Sequence, residues 1–297
     1  MDATTPEARS RAAAPSTSAP SGEPGTRPIR VRRMDFPFGD ADVPRWWLHD
    51  NPVLTHLANG LNLLFPPGER FFIRSVKRYL GQIEDPALRA RVKGFFGQEG
   101  RHGHEHERAN RILERQGYDL RRFLDLYERW AFEGIEPLVP PILRLSTTVA
   151  LEHFTATLAR HALTSRFLDG AHPVMRELLR WHAAEEIEHK AVAFDVLKAV
   201  DGRYAVRVAG LGIAVGQLLG WWAVATALLL AQEGLTPEEK ARYRAEAEAT
   251  RLREEGVQRR ALFRQAIVDY LRPSFHPDDH DDYELARAYL ERVGAPV

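Results

Sequence analysis

Residues 97–106 read GQEGRHGHEH and residues 181–196 read WHAAEEIEHKAVAFDV. Each stretch contains Glu-x-x-His, at Glu99/His102 and at Glu186/His189, and the pattern occurs nowhere else in the chain. In a helix, residues i and i+3 share a face, so each pair offers one carboxylate and one imidazole to the same point. A lone helical glutamate stands ahead of each pair, Glu69 by 30 positions before Glu99 and Glu152 by 34 before Glu186. Each interval fits one helix, a turn and part of the next, so the chain reads as a duplicated helical hairpin. Four helices then supply four carboxylates and two imidazoles, the ligand set of a two-metal carboxylate site in a helix bundle. Four carboxylates converging in an interior would repel one another and lose hydration unless cations neutralise them, and two divalent ions do so. A single Glu-x-x-His would read as an ordinary surface face of an amphipathic helix; two copies, each with its lone glutamate, favour the metal reading.

At 297 residues and 44% hydrophobic content the chain can bury a sizeable core. Its 41 basic and 41 acidic residues balance, so no overall charge draws it to nucleic acid, and none is expected as a partner. There is no cysteine, which rules out disulfides, zinc fingers and iron–sulfur clusters. Any metal must be held by His and carboxylates. Residues 1–29 are rich in Pro, Ala, Ser and Thr and lack an apolar signal core. Together with the basic cluster Arg30, Arg32 and Arg33, they suggest a disordered, solvated extension over 1–33 and a cytoplasmic location.

After Pro44 the pattern is helical throughout and the expected fold is all-α. A first helix is expected over Pro52–Leu64, broken by Phe65-Pro-Pro-Gly before Glu69 opens a second. Asp85-Pro86 starts a long helix ending near Gly117 and carrying Glu99 and His102. Inside it Gly100 and Gly103 each sacrifice about 1 kcal/mol relative to Ala, which suggests close approach of a neighbouring helix or ligand. DLRRFLDLYERWAFEG is expected to form an extra helix within a long crossover. The helix of Glu152 follows, then one helix from Pro173 through Val200. These elements place a bundle at 34–204, with residues 205–297 forming an apolar helix and charged helices that pack on the bundle or the membrane.

Val208–Ala231 holds 24 residues without a charge, more than the roughly 20 needed to span a bilayer. Arg203 and Arg207 precede it and Glu233 follows, an orientation that would keep the bundle cytoplasmic and attach it to the inner membrane. A buried helix or a homodimer interface has the same composition. The acidic PDDHDDYE, with His276 and His280, lacks EF-hand spacing.

His106 lies one turn beyond His102, and His182 one turn before Glu186, so both are candidates for a ligand or an outer partner. Glu185 is an alternative ligand to Glu186. His104, Glu105, Glu107 and Glu188 are expected to face solvent or orient neighbours, and His153 and His161 to be structural.

With these residues in view, the chain resembles the bacterial family of predicted metal-dependent hydrolases, a set of ferritin-like helical proteins. The likeness rests on FPPGERFF with Glu69, GQEGRHGHEH with Glu99, His102 and His106, TVALEHFTA with Glu152, and WHAAEEIEHKAVAFDV with His182, Glu186 and His189. It extends from about Arg30 to Arg272. A carboxylate-rich site with few imidazoles suits iron or manganese over zinc or copper. The expectation from ligand chemistry is therefore a di-iron oxidase or oxygenase, with manganese or mixed pairs as variants. It would take dioxygen, an electron donor and a small apolar substrate, with Glu99 and Glu186 as bridging catalytic carboxylates. Hydrolysis by a metal-bridged hydroxide is the alternative, and a non-catalytic metal-binding bundle the second.

Overall fold

The computed structural model describes residues 27–39, 42–255 and 259–295; most of the expected N-terminal extension, residues 1–26, lies outside them. The fold is all-α, and among the described residues the only β-type pairing is an isolated bridge between Leu48 and Ala171. Helix α1 spans Pro52–Lys77, α2 Pro86–Arg115, α3 Arg121–Tyr127, α4 Pro141–Thr164 and α5 Pro173–His189. The C-terminal part adds α6 (Val192–Val200), α7 (Tyr204–Ala231), α8 (Pro237–Glu255), α9 (Arg259–Tyr270) and α10 (Tyr283–Arg292).

The four helices that carry the sequence signature each begin with proline, whose missing N–H falls where an amide would be unpaired anyway. Two also have side-chain caps: Asn51 accepts from the amides of Val53 and Leu54, and Asp85 from that of Ala87. Helix α1 packs on α2, α2 on α5, α5 on α4 and α4 on α1, closing a ring of four. The crossover between α2 and α4 holds α3 and a wider π-helical stretch, Glu128–Ile135.

Three elements differ from expectation. Pro66 and Pro67 lie inside a continuous α1. Each removes an amide donor, an effect worth about 3 kcal/mol in a helix interior, but Leu63, Leu64, Phe71 and Phe72 are buried on both sides of them, so tertiary packing carries the helix through. The single helix expected from Pro173 to Val200 is interrupted just after His189. There Lys190 Nζ turns to Asp282 Oδ1 and the His280 carbonyl, both at 2.5 Å, tying the acidic C-terminal segment to the end of α5. Finally, Arg30 and Arg33 are exposed as expected, but Arg32 between them is 3% exposed, because buried carboxylates of α5 receive it.

Helix α7 is long and apolar enough to cross a membrane. It lies along α4 and α1, so close that a methyl group on Gly210 would collide with Ser146. Leu219 and Val224 remain exposed on its other side.

Gly103 has a clear reason. A Cβ there would stand 2.9 Å from Glu69 Oε2 and 3.7 Å from Pro66 Cα, whereas at Gly100 it would meet nothing within 4 Å. Gly100→Ala is therefore expected to raise the melting temperature by roughly 2 °C, the return of about 1 kcal/mol of helix propensity. Gly103→Ala is expected to lower both melting temperature and metal content. Equal gains in the two variants, by calorimetry, would contradict the close approach at Gly103.

Candidate metal centre

The ring of four brings together every residue of the sequence signature. Glu69 comes from α1, Glu99 and His102 from α2, Glu152 from α4, and Glu186 and His189 from α5. All six are at most 3% exposed. His189 Nε2 lies 3.3, 3.5 and 3.4 Å from carboxylate oxygens of Glu99, Glu152 and Glu186, and His102 Nδ1 is 3.6 Å from Glu186 Oε1. Three overlapping sets have ligand atoms within 4.8 Å of one another: Glu69/His102/His182, Glu99/Glu152/His189 and Glu99/His102/Glu186. His276 and His280 form no such set among the described residues; His276 Nε2 instead lies 3.0 Å from Asp195 Oδ1.

Hydrogen bonds behind the imidazoles assign their tautomers. His102 Nε2 is 2.9 Å from Glu185 Oε2, and His189 Nδ1 is 2.8 Å from Gln98 Oε1. Both partners accept, so these nitrogens carry protons, and His102 Nδ1 and His189 Nε2 are the atoms that face the cluster. A single guanidinium stands behind both. Arg32 Nη1 donates to Glu185 Oε1 at 3.0 Å and to Glu188 Oε2 at 2.6 Å, and Nη2 to Glu188 Oε1 at 2.8 Å. Glu188 Oε2 also accepts from Gln98 Nε2 at 2.8 Å. Arg32 thus reaches His102 through Glu185, and His189 through Glu188 and Gln98. Outer partners of this kind fix ligand orientation.

A second chain fixes His182. Asn62 Nδ2 donates to Asn110 Oδ1 at 2.6 Å, His106 Nδ1 donates to Asn62 Oδ1 at 2.5 Å, and His182 Nδ1 donates to His106 Nε2 at 2.5 Å. His182 Nε2 is left 2.8 Å from Glu186 Oε1. His106 and His182 therefore join the site by different routes, His106 behind it and His182 beside it. Glu185 lies between Arg32 and His102 and belongs to none of the three donor sets.

Burial, then Glu186 and Glu152, hold the Glu69 carboxyl well above the usual carboxylate range. Burial, then neighbouring carboxylates, do the same to Glu99 and Glu152. Burial also pushes Glu186 up, but His189 and His182 outweigh it and hold its carboxyl well below that range. Burial and the neighbouring His182 pull His102 and His106 well down. Burial pulls His189 down too, but Glu186 and Glu152 outweigh it and bring it to about 9. Above about pH 6.5, the value of an unfolded histidine, the metal-free folded chain therefore binds more protons than the unfolded chain, and stability falls as pH rises. His102 and His106 act in the opposite sense only below that value. Chelated protein is expected to lose on the order of 5 °C in melting temperature between pH 7 and 9, and metal-loaded protein much less. A flat or rising melting temperature in the chelated protein, by calorimetry, would contradict the electrostatic picture.

Several partners were hidden from sequence reasoning. Arg32 reads as a solvated residue, and Gln98 and Asn62 have no periodic signal; only the i−1 position of Gln98 beside Glu99 marks it. Of the residues expected to face solvent or orient neighbours, Glu105 is buried between Arg101 and Arg108, at 3.2 and 2.7 Å, and Glu188 orients Arg32 and Gln98. His161, expected to be structural, lines an apolar cavity that ends at His182 and Glu186.

The residues fit a cation. Both carboxylate oxygens of Glu69, Glu99 and Glu152, Oε2 of Glu186, Nδ1 of His102 and Nε2 of His189 are buried with no hydrogen-bond partner, although buried polar groups are nearly always satisfied. These are the six residues of the signature, and their unpaired atoms are hard oxygen and imidazole donors. Fold and site define an all-α protein with a buried glutamate–histidine metal centre. The chain belongs to the predicted metal-dependent hydrolase family, whose model matches residues 30–281. No curated protein and no solved structure matches it. Membership overturns the oxidase or oxygenase expectation, with its dioxygen and electron donor, in favour of the hydrolytic alternative. The physical reason is that a carboxylate–imidazole set serves both redox and Lewis-acid chemistry, so ligand count alone does not choose between them.

Proposed function

We propose that this protein is a hydrolase using two divalent metal ions held by Glu69, Glu99, His102, Glu152, Glu186 and His189 in a ferritin-like bundle. The observation that carries the reading is the set of unpaired buried donor atoms on those six residues in a chain of this family. Glu99 and Glu186 would be shared between the ions, since each belongs to a donor group with His102, and Glu99 also to one with His189. Iron or manganese suits the donor set best. When bound, the ions supply Lewis acidity toward a carbonyl or phosphoryl oxygen and lower the pKa of water.

The chain's own residues do the rest. His182 edges the cavity beside Glu186, with its ring fixed by His106 and Asn62. Its Nε2 stands 2.8 Å from Glu186 Oε1 and is placed to pass a proton between the attacking water and a leaving group. Leu61, Phe65, Leu158 and Ala183 make that edge apolar. The test is ester turnover by chelated protein before and after metal is restored, with His182→Gln expected to keep its metal while losing at least about 100-fold in kcat. Full activity without metal would overturn the reading.

We also propose that the exposed flank of α7 rests on the cytoplasmic face of the inner membrane. The support is 24 uncharged residues with Leu219 and Val224 exposed. Cosedimentation with anionic vesicles is expected and is to be lost in Leu219→Glu. A stable homodimer that ignores vesicles would assign the flank to a second copy.

A further inference from the structure

The geometry points to a substrate with one unbranched aliphatic chain, whose hydrolysable group sits at Glu186 and whose tail runs along the helix axes away from the metal centre. This rests on the hydrolytic reading for the reaction, but not for the binding of the chain.

A cavity of about 170 Å³ opens beside the site. On α5 its wall includes Glu186, Ala183 and Leu179, on the N-terminal side of His189. On α1 it runs from Phe65 back to Leu54, on the N-terminal side of Glu69, and on α4 from Thr155 forward to Ser165, on the C-terminal side of Glu152. Lining residues therefore recede from the ligands along all three helices together. Ten residues of α4 at about 1.5 Å each give a length of about 15 Å. Aliphatic and aromatic groups make nearly all of the wall, and polar side chains cluster at its two ends: His182 and Glu186 at the metal centre, and His161, Ser165 and Arg251 away from it.

An apolar cavity of about 150 Å³ is large enough to take up benzene. Here a similar volume is drawn out over about three helical turns of α4, a shape for a single extended chain and not for a ring or a branched group. Phe65 closes the cavity beside the metal centre, its ring centroid 4.5 Å from that of His182 and 4.6 Å from that of His106. A chain lying in the cavity therefore ends against the pair His182 and Glu186, where the scissile carbonyl of an acyl ester would be placed. Hydrolysis then breaks the acyl C–O bond, water supplies OH to the carbonyl carbon and H to the alcohol, and no oxidant or reductant is needed.

The experiment is calorimetric titration of straight-chain 1-alkanols from four to twelve carbons into the full chain, both chelated and metal-loaded, in parallel with turnover of the matching 4-nitrophenyl alkanoates. Each added methylene is expected to tighten binding about fourfold, from about 0.8 kcal/mol per buried CH₂, until the cavity is full. Ala162→Leu should shift that limit to shorter chains and Leu179→Ala to longer ones, with metal content unchanged in both. Affinity independent of chain length, equal affinity for branched isomers, or an unmoved limit in both variants would overturn the inference. If alkanols bind in this graded way while no ester is turned over, the chain site stands and the hydrolytic reading fails. If esters are turned over with no dependence on chain length, the hydrolytic reading stands and the chain site fails.

Discussion

Glu99→Ala and Glu186→Ala are each expected to lose at least one of two metal ions per chain, and the double variant to lose both. The effect should be large, because each glutamate belongs to a buried donor group that also contains His102, so one side chain contributes to the whole constellation. Activity should fall well beyond the 10–100-fold typical of losing an outer partner. The check is elemental analysis of purified protein after anaerobic reconstitution with iron or manganese. Full metal content in the double variant would remove these carboxylates from the ligand set.

The second large effect is expected at Arg32, which touches neither substrate nor cluster. Its guanidinium is buried with Glu185 and Glu188, and removing one partner of a buried ion pair costs about 3–5 kcal/mol. Arg32→Ala should therefore melt lower, by roughly 5–15 °C for a chain of this size. It should also bind metal about 10–100-fold more weakly, because Glu185 and Gln98 would lose the group that orients them behind His102 and His189. Arg32→Lys should recover part of the stability but little of the metal affinity. A compact ammonium cannot serve two carboxylates with the fork geometry of a guanidinium. Competition with a chelating dye measures the affinity. A variant that is destabilised yet binds metal at wild-type affinity would make Arg32 a structural residue only.

The parts of the site that were readable in advance are those with a period. Glu99/His102 and Glu186/His189 announce themselves by i+3 spacing, and Glu69 and Glu152 by standing 30 and 34 positions ahead of the two pairs. Those residues converge because a helix converts sequence spacing into a shared face. Arg32, Gln98 and Asn62 reach the site through long-range packing, with Arg32 lying 153 positions from Glu185, and no local pattern encodes such a contact. Similarly, Pro66 and Pro67 were misleading as a helix break because propensity is local while the burial of Leu63, Leu64, Phe71 and Phe72 is not. The break after His189 was invisible for the same reason: Lys190 leaves the helix pattern to meet Asp282, 92 positions away. Chemistry was the least readable level. Ligand types suggested redox, whereas family membership supports hydrolysis.

Hydrolysis at the buried glutamate–histidine cluster is tested most directly by the rate of 4-nitrophenyl octanoate turnover by chelated protein as metal is restored. Activity is expected to be absent after chelation, to rise with metal to a plateau near two ions per chain, and to stay absent in Glu152→Ala at every metal concentration. Equal turnover by chelated and metal-loaded protein, or a fully active Glu152→Ala, would contradict the account.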